Sequence, residues 1–183
     1  MEHLRKRPIA LLIMIAAMVL SVFIGGRRSL SEERRRVEAL FYTDPESSIS
    51  IQSDLEYIGA TASNLRTVAL RYLSADDPYI VQLNSCRNAL SEAKSLEDKH
   101  DAAAELFGVV EALYTYLDPA QHKMNSTDKS FRNSLYEDFQ SAMKRMEENE
   151  YNVSAREFNE MLGSSFTGFI AAITGIEEIP IYG

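Results

Sequence analysis

The sequence predicts an all-α protein: an N-terminal transmembrane helix followed by an antiparallel up-and-down helical bundle of the four-helix type. Three observations predict it. One uncharged apolar run, Ile9 to Gly26, is long enough to cross a bilayer. The rest of the chain repeats apolar residues at alternating spacings of four and three, which mark one helix face, and no strand-like alternation stands out. The breaks between these stripes are short and rich in Asp, Pro and Ser, which favours antiparallel neighbours.

The apolar run covers roughly 27 Å at ~1.5 Å per residue, near the ~30 Å hydrocarbon thickness. Arg5, Lys6 and Arg7 precede it and Arg27 and Arg28 follow, placed to snorkel to the headgroups. A cleaved signal peptide is the rival reading. Its basic start fits, but no small-residue pair spaced like A-x-A is present, and Ile24 stands where one is needed. The expectation is an uncleaved, single-pass anchor that meets the lipid bilayer through Ile9–Gly26. The short basic start resembles a signal anchor, which would place the bundle on the extracytoplasmic side. Arg27, Arg28 and Arg34–Arg36 pull the other way.

Charge separates the anchor from the body. Residues 1–36 hold eight Lys/Arg against three acids, whereas residues 37–183 hold eleven against twenty-four. An acidic body repels phosphate backbones, so no nucleic-acid partner is expected. The chain divides into a basic start and anchor (1–28), a juxtamembrane helix and polar loop (29–49), a bundle (50–165) and an apolar tail (166–183).

Leu30, Val37, Leu40 and Phe41 carry the span on as a juxtamembrane helix, which Asp44–Ser48 breaks. Ile51, Leu55, Ile58, Ala62, Leu65, Ala69 and Tyr72 form the clearest stripe. Asp77 caps the next helix and Pro78 suits its first position. Tyr79, Leu83, Cys86, Leu90 and Ala93 repeat the pattern, and after a charged interruption at 97–101, Leu106, Val109, Val110, Leu113, Tyr116 and Leu117 resume it. One long helix over 78–117 is favoured over two, and Asp118-Pro119 stops it. A polar loop runs to about Lys129. The last long helix starts near Ser130 and buries Leu135, Phe139, Ala142, Met146, Val153, Phe158 and Leu162, with Gly163 as terminator.

Catalytic constellations are sparse. A carboxylate-bridged di-metal bundle needs two Glu-x-x-His pairs and two further Glu. Glu97 and His100 make one pair, and neither His3 nor His122 makes a second. The Gly163–Gly168 spacing resembles a phosphate loop, but Phe169 stands where the lysine is required. Cys86, alone, reads as a small buried hydrophobe. No catalytic residue, metal or cofactor is expected.

Several short motifs resemble the LemA family. Ile51-Gln52-Ser53-Asp54-Leu55 with Asn64-Leu65 resembles its second-helix pattern. Val110-Glu111-Ala112 leading to Leu117-Asp118-Pro119 resembles its Ala-Glu-x-Tyr-Pro segment. Tyr151-Asn152 and Phe158-Asn159, seven apart, resemble its paired Tyr-Asn dipeptides. Phe166-Thr167-Gly168-Phe169 through Pro180-Ile181-Tyr182 resembles its hydrophobic ending. Departures are Asp118 for Tyr before proline, Phe158 for one Tyr, Thr167 for a Pro, and a polar insertion at 43–50. The resemblance implies an N-terminal span, an antiparallel bundle and no enzyme activity.

Asn is a poor helix former, so Asn152 and Asn159 at one-heptad spacing either fix register by pairing inside the bundle or contact a ligand. In the tail, Phe166, Phe169, Ile170, Ile173 and Ile176 share one helical face, limited by Gly175 and Pro180 to two or three turns. That stripe needs cover: first the bundle's own end, then a partner protein, then lipid. The functional expectation is a non-enzymatic anchored module that binds or scaffolds partner proteins at the membrane. A membrane-tethered sensor or ligand-binding bundle acting through a partner is the alternative.

Overall fold

The structure is a computed structural model that describes residues 2–43 and 49–182, with side chains from Pro8 onward. The described residues form seven helices and no strand. They are α1 (Glu2–Tyr42), α2 (Ile51–Ala69), α3 (Pro78–Glu92), α4 (Leu96–Tyr116), α5 (Ser126–Glu148), α6 (Glu150–Leu162) and α7 (Ser165–Thr174). The side chains of Arg5, Lys6 and Arg7 and the expected break at Asp44–Ser48 lie outside the described residues.

α1 is one helix with two environments. Its apolar N-terminal half, long and apolar enough to cross a membrane, is exposed from Ile9 to Val22. Leu30, Val37 and Phe41, at the expected heptad-like spacing, are buried in the core. The apolar half and the first packing element are therefore one continuous rod, which packs on α6, α7 and α2.

α2 packs most extensively on α5, and α3 on α4, with α2 also against α3. Its stripe is buried as expected from Ile51 through Ala69. Leu65 and Leu113 are both enclosed. Replacing either by Ala is expected to cost about 2–5 kcal/mol of unfolding free energy in urea titrations. A loss below about half a kcal/mol at both positions would mean the stripe is misassigned.

Four expectations need correction. Residues 78–117 form two helices, not one. α3 ends where Ala93 turns extended, and Ser95 caps α4 by accepting from the Asp98 amide at 3.0 Å. The break precedes the charged run because a Ser three residues before an acid offers the backbone a cap. The last long helix begins at Ser126 rather than near Ser130, because Asn125 caps it by accepting from the Asp128 amide at 2.8 Å. That helix is also interrupted at Asn149, whose extended backbone ends α5 and whose side chain caps α6. The interruption re-phases the stripe: Val153 is 50% exposed, while Tyr151, Asn152 and Ala155 are buried. Tyr116, expected inside, is 40% exposed and lies against Tyr79. The Asp77 cap and Pro78 start of α3 stand as expected.

The ends of α2 and α5 are joined by a polar cluster. Buried Asp128 accepts from Arg71, from the Tyr72 hydroxyl at 2.6 Å and from the Asn125 amide at 2.9 Å. The Tyr72 hydrogen bond, against the opposing effect of burial, and then Asn125 and Arg71 hold this carboxyl below its usual range. A depressed folded value means the stabilisation is present above the unfolded pKa, near 3.8, and is lost as pH falls through the folded value. Wild type should therefore lose stability below about pH 4 more steeply than Asp128→Asn. Parallel pH profiles of the urea midpoint would remove Asp128 from acid unfolding.

Candidate functional site

α6 faces the core with Tyr151, Asn152, Ala155, Phe158 and Leu162. Its two asparagines do not pair with each other, as one expectation had it. Each holds the backbone of the tail. Asn159 donates to the Ile179 carbonyl at 2.9 Å and accepts from the Ile179 amide at 2.8 Å. Asn152 does the same for Tyr182, at 2.5 Å and 2.9 Å. A carboxamide is a peptide-like group with one acceptor and one donor side, so each Asn satisfies both polar groups of one tail residue. The spacings match: seven helical residues rise about 10.5 Å, and three extended residues span about 10 Å. The tail therefore runs opposite to α6.

Asn152 has a second role. Its amide also donates to the Met146 carbonyl at 2.7 Å and lies 3.3 Å from that of Glu147. Where Asn149 interrupts the chain, the Met146 carbonyl accepts from the Asn149 amide at 3.2 Å, and Asn152 adds a second donor there, closing the end of α5 while gripping the tail.

Aromatic rings seal the clamp. Phe41, Tyr151 and Tyr182 form a triangle with centroids 5.6–5.9 Å apart. Tyr151 donates to the Pro180 carbonyl at 2.9 Å, and Tyr182 to that of Leu96 at 2.8 Å. Burial, reinforced by nearby carboxylates, pushes both phenols well above their usual range, so they stay neutral donors. Arg34 of α1 reaches the Glu177 carbonyl at 2.8 Å, Glu38 at 2.7 Å and Glu97 at 2.9 Å, tying the rod to the tail and to the first turn of α4. Sequence reasoning missed Arg34 and the anchoring role of Tyr182; the Tyr-Asn spacing and the Pro-x-Tyr ending were visible signals.

Glu97 and His100 do not converge. Glu97 engages Arg34, and His100 lies 3.0 Å from Asp101 with its ring against Tyr182. Among the described residues, no group of three or more His, Cys, Asp or Glu is placed to hold a metal.

α4 and α5 are pinned at one end. Buried Arg132 donates to the Tyr114 carbonyl at 2.6 Å and lies 3.7 Å over the Tyr114 ring, which stacks on Tyr136 at 3.8 Å. Toward the other end an open groove of about 760 Å³ separates them, lined by Ala103, Ala104, Phe107, Ser141 and Met143, with Tyr182 at its base. The groove is mostly apolar, with Lys144, Glu137 and Glu147 on its rim.

The tail stripe splits. Ile170 is buried, but Phe166, Phe169 and Ile173 are 62%, 56% and 58% exposed. Docking on the bundle was expected to cover all five stripe residues, Ile176 included. It buries Ile170 and Ala171 and half-buries Ile176 against the core, because α7 meets α1 and α6 along one narrow edge. No protein-family model matches the chain, and no curated protein matches it.

Proposed function

We propose that this is a non-enzymatic, single-pass membrane protein, LemA-like in plan, whose helical bundle binds partner proteins at the membrane. The observation that carries the reading is the continuity of α1. One helix is exposed and apolar over a bilayer's length and then enters the bundle core, so whatever binds the bundle is held at a fixed height above the lipid. The contact between Gly26 and Ile170 supports an uncleaved anchor, since removal of the first 26 residues would unseat α7. The short connections support an antiparallel four-helix arrangement of α2–α5. The basic start supports export of the bundle. The Tyr-Asn pair and the Pro-x-Tyr ending, which carry the family resemblance, meet in one clamp, which supports the LemA-like reading.

The α4–α5 groove is the surface assigned to the partner, because it is apolar, open and rimmed by charge. Ala104 is exposed on its wall. Ala104→Arg should lower partner recovery from detergent-solubilised full-length protein about tenfold, or ~1.4 kcal/mol, with unchanged melting. Full recovery of the partner would displace it from this groove. The groove's volume also suits a small apolar ligand, within the ~300–1,000 Å³ usual for such sites, so a sensor is the second reading. Co-purification of a small molecule lost in the same variant, with no protein partner, would favour it.

A further inference from the structure

α7 lies beside the part of α1 that is apolar enough to span a bilayer. Ile170 sits on Gly26, where a Cβ would come within 2.7 Å of its Cδ1, so the glycine permits this close approach. Phe169 meets Phe23 with ring centroids 5.9 Å apart. Phe166 and Phe169 line an apolar cleft with Met18, Val19 and Val22. From Met18 to Gly26 the helix rises about 12 Å, and Arg27 and Arg28 come only after it. Any placement of α1 that puts Ile9–Gly26 in hydrocarbon therefore carries Phe166 and Phe169 below the headgroups.

We infer that α7 is a membrane-embedded interfacial helix, with Phe166, Phe169 and Ile173 inserted into the bilayer beside the end of the span. This rests on the reading that α1 crosses the membrane. The occupant of the exposed face is lipid, because that face is continuous with the exposed apolar surface of α1 from Met18 to Val22. The chemistry of α7 fits. It carries no charge from Ser165 to Thr174. Its threonines turn inward: Thr167 bonds the Met161 carbonyl, and Thr174 that of Ile170 at 2.7 Å. Ser21 on the span likewise bonds the Ala17 carbonyl at 2.8 Å. Hydroxyls returned to backbone carbonyls are what a medium without water requires. Ten residues are too few to cross, so α7 lies at the boundary, where an amphipathic helix buries its apolar face about 5–10 Å deep. Gly168 permits the tight corner from α6, since a Cβ there would meet the Leu162 carbonyl oxygen at 2.5 Å.

The chain contains no tryptophan, so single-Trp variants report depth without background. Three full-length proteins would be reconstituted in vesicles of brominated phosphatidylcholine: Leu20→Trp in the span, Phe169→Trp in α7 and Phe131→Trp on the exposed start of α5. Quenching of Phe169→Trp within about twofold of Leu20→Trp, with Phe131→Trp unquenched, is the expected result. Quenching of Leu20→Trp alone would overturn the placement of α7 and leave the anchor intact. Absence of quenching at both would show that α1 is not inserted, and the inference would fall with it. Aqueous nitroxide accessibility at Ile173→Cys in a Cys86→Ala background, with Met18→Cys protected, would overturn it independently.

Discussion

Replacing Asn152 by Ala is expected to destabilise the folded protein by about 3–5 kcal/mol, among the largest effects of any single substitution outside the apolar core. The side chain is fully buried and serves two groups of clients: both backbone polar atoms of Tyr182, and the Met146 and Glu147 carbonyls at the end of α5. Alanine removes all of these side-chain bonds at once, and each of the two Tyr182 backbone atoms left unsatisfied costs about 1–3 kcal/mol. Asn159→Ala should cost less, about 1–2 kcal/mol, because Asn159 is only half-buried and water can replace its amide. Urea unfolding of the detergent-solubilised full-length protein measures both. Deleting residues 176–183 should weaken the effect of Asn152→Ala, since the shared partner is gone, and that non-additivity identifies the clamp. Additive losses in the double variant would mean Asn152 stabilises the α5–α6 junction alone.

Placing lysine at both Leu12 and Ile15 is expected to move the protein from the carbonate-washed membrane pellet to the soluble fraction. Ten Leu, Ile, Val and Phe residues lie between Ile9 and Ile24, and at about 0.3–0.6 kcal/mol each they favour insertion by about 3–6 kcal/mol. Two central lysines oppose it by about 5–7 kcal/mol, enough to reverse the balance. Leu12 and Ile15 are exposed on α1 and touch nothing in the bundle, so the change should leave the folded body intact. A double variant that remained in the pellet would contradict insertion through this segment. A wild-type N-terminus near residue 27 would show instead that the run is cleaved.

Much of the architecture was readable along the chain. An uncharged run reports its own length, and the four–three stripe of α2 reports its own buried face. Asp77 before Pro78 reports a helix start, and Gly175, left-handed at φ 67°, closes α7 where the pattern predicted. These are local properties, set by the 3.6-residue period and by the backbone preferences of Gly, Pro and Asp. The errors arose where two local signals competed. Apolar periodicity runs through Ala93 and through Asn149, but the caps offered by Ser95 and Asn149 satisfy amides that a continued helix would have paired otherwise.

What the tertiary structure alone decided is which partner each group meets. Periodicity shows that a face is apolar, not what covers it, so Ile170 and Phe169 look equivalent in sequence. One rests on Gly26 while its neighbour stands exposed beside Phe23. A carboxamide bonds equally well to another Asn, a ligand or a backbone, and only the path of the tail made Ile179 and Tyr182 the partners of Asn159 and Asn152. The sequence by itself determined most of the helices and an apolar run of spanning length because those depend on near neighbours. The clamp and the seat of α7 depend on contacts between residues twenty to more than a hundred positions apart, whose meeting is set by how the whole set of helices packs.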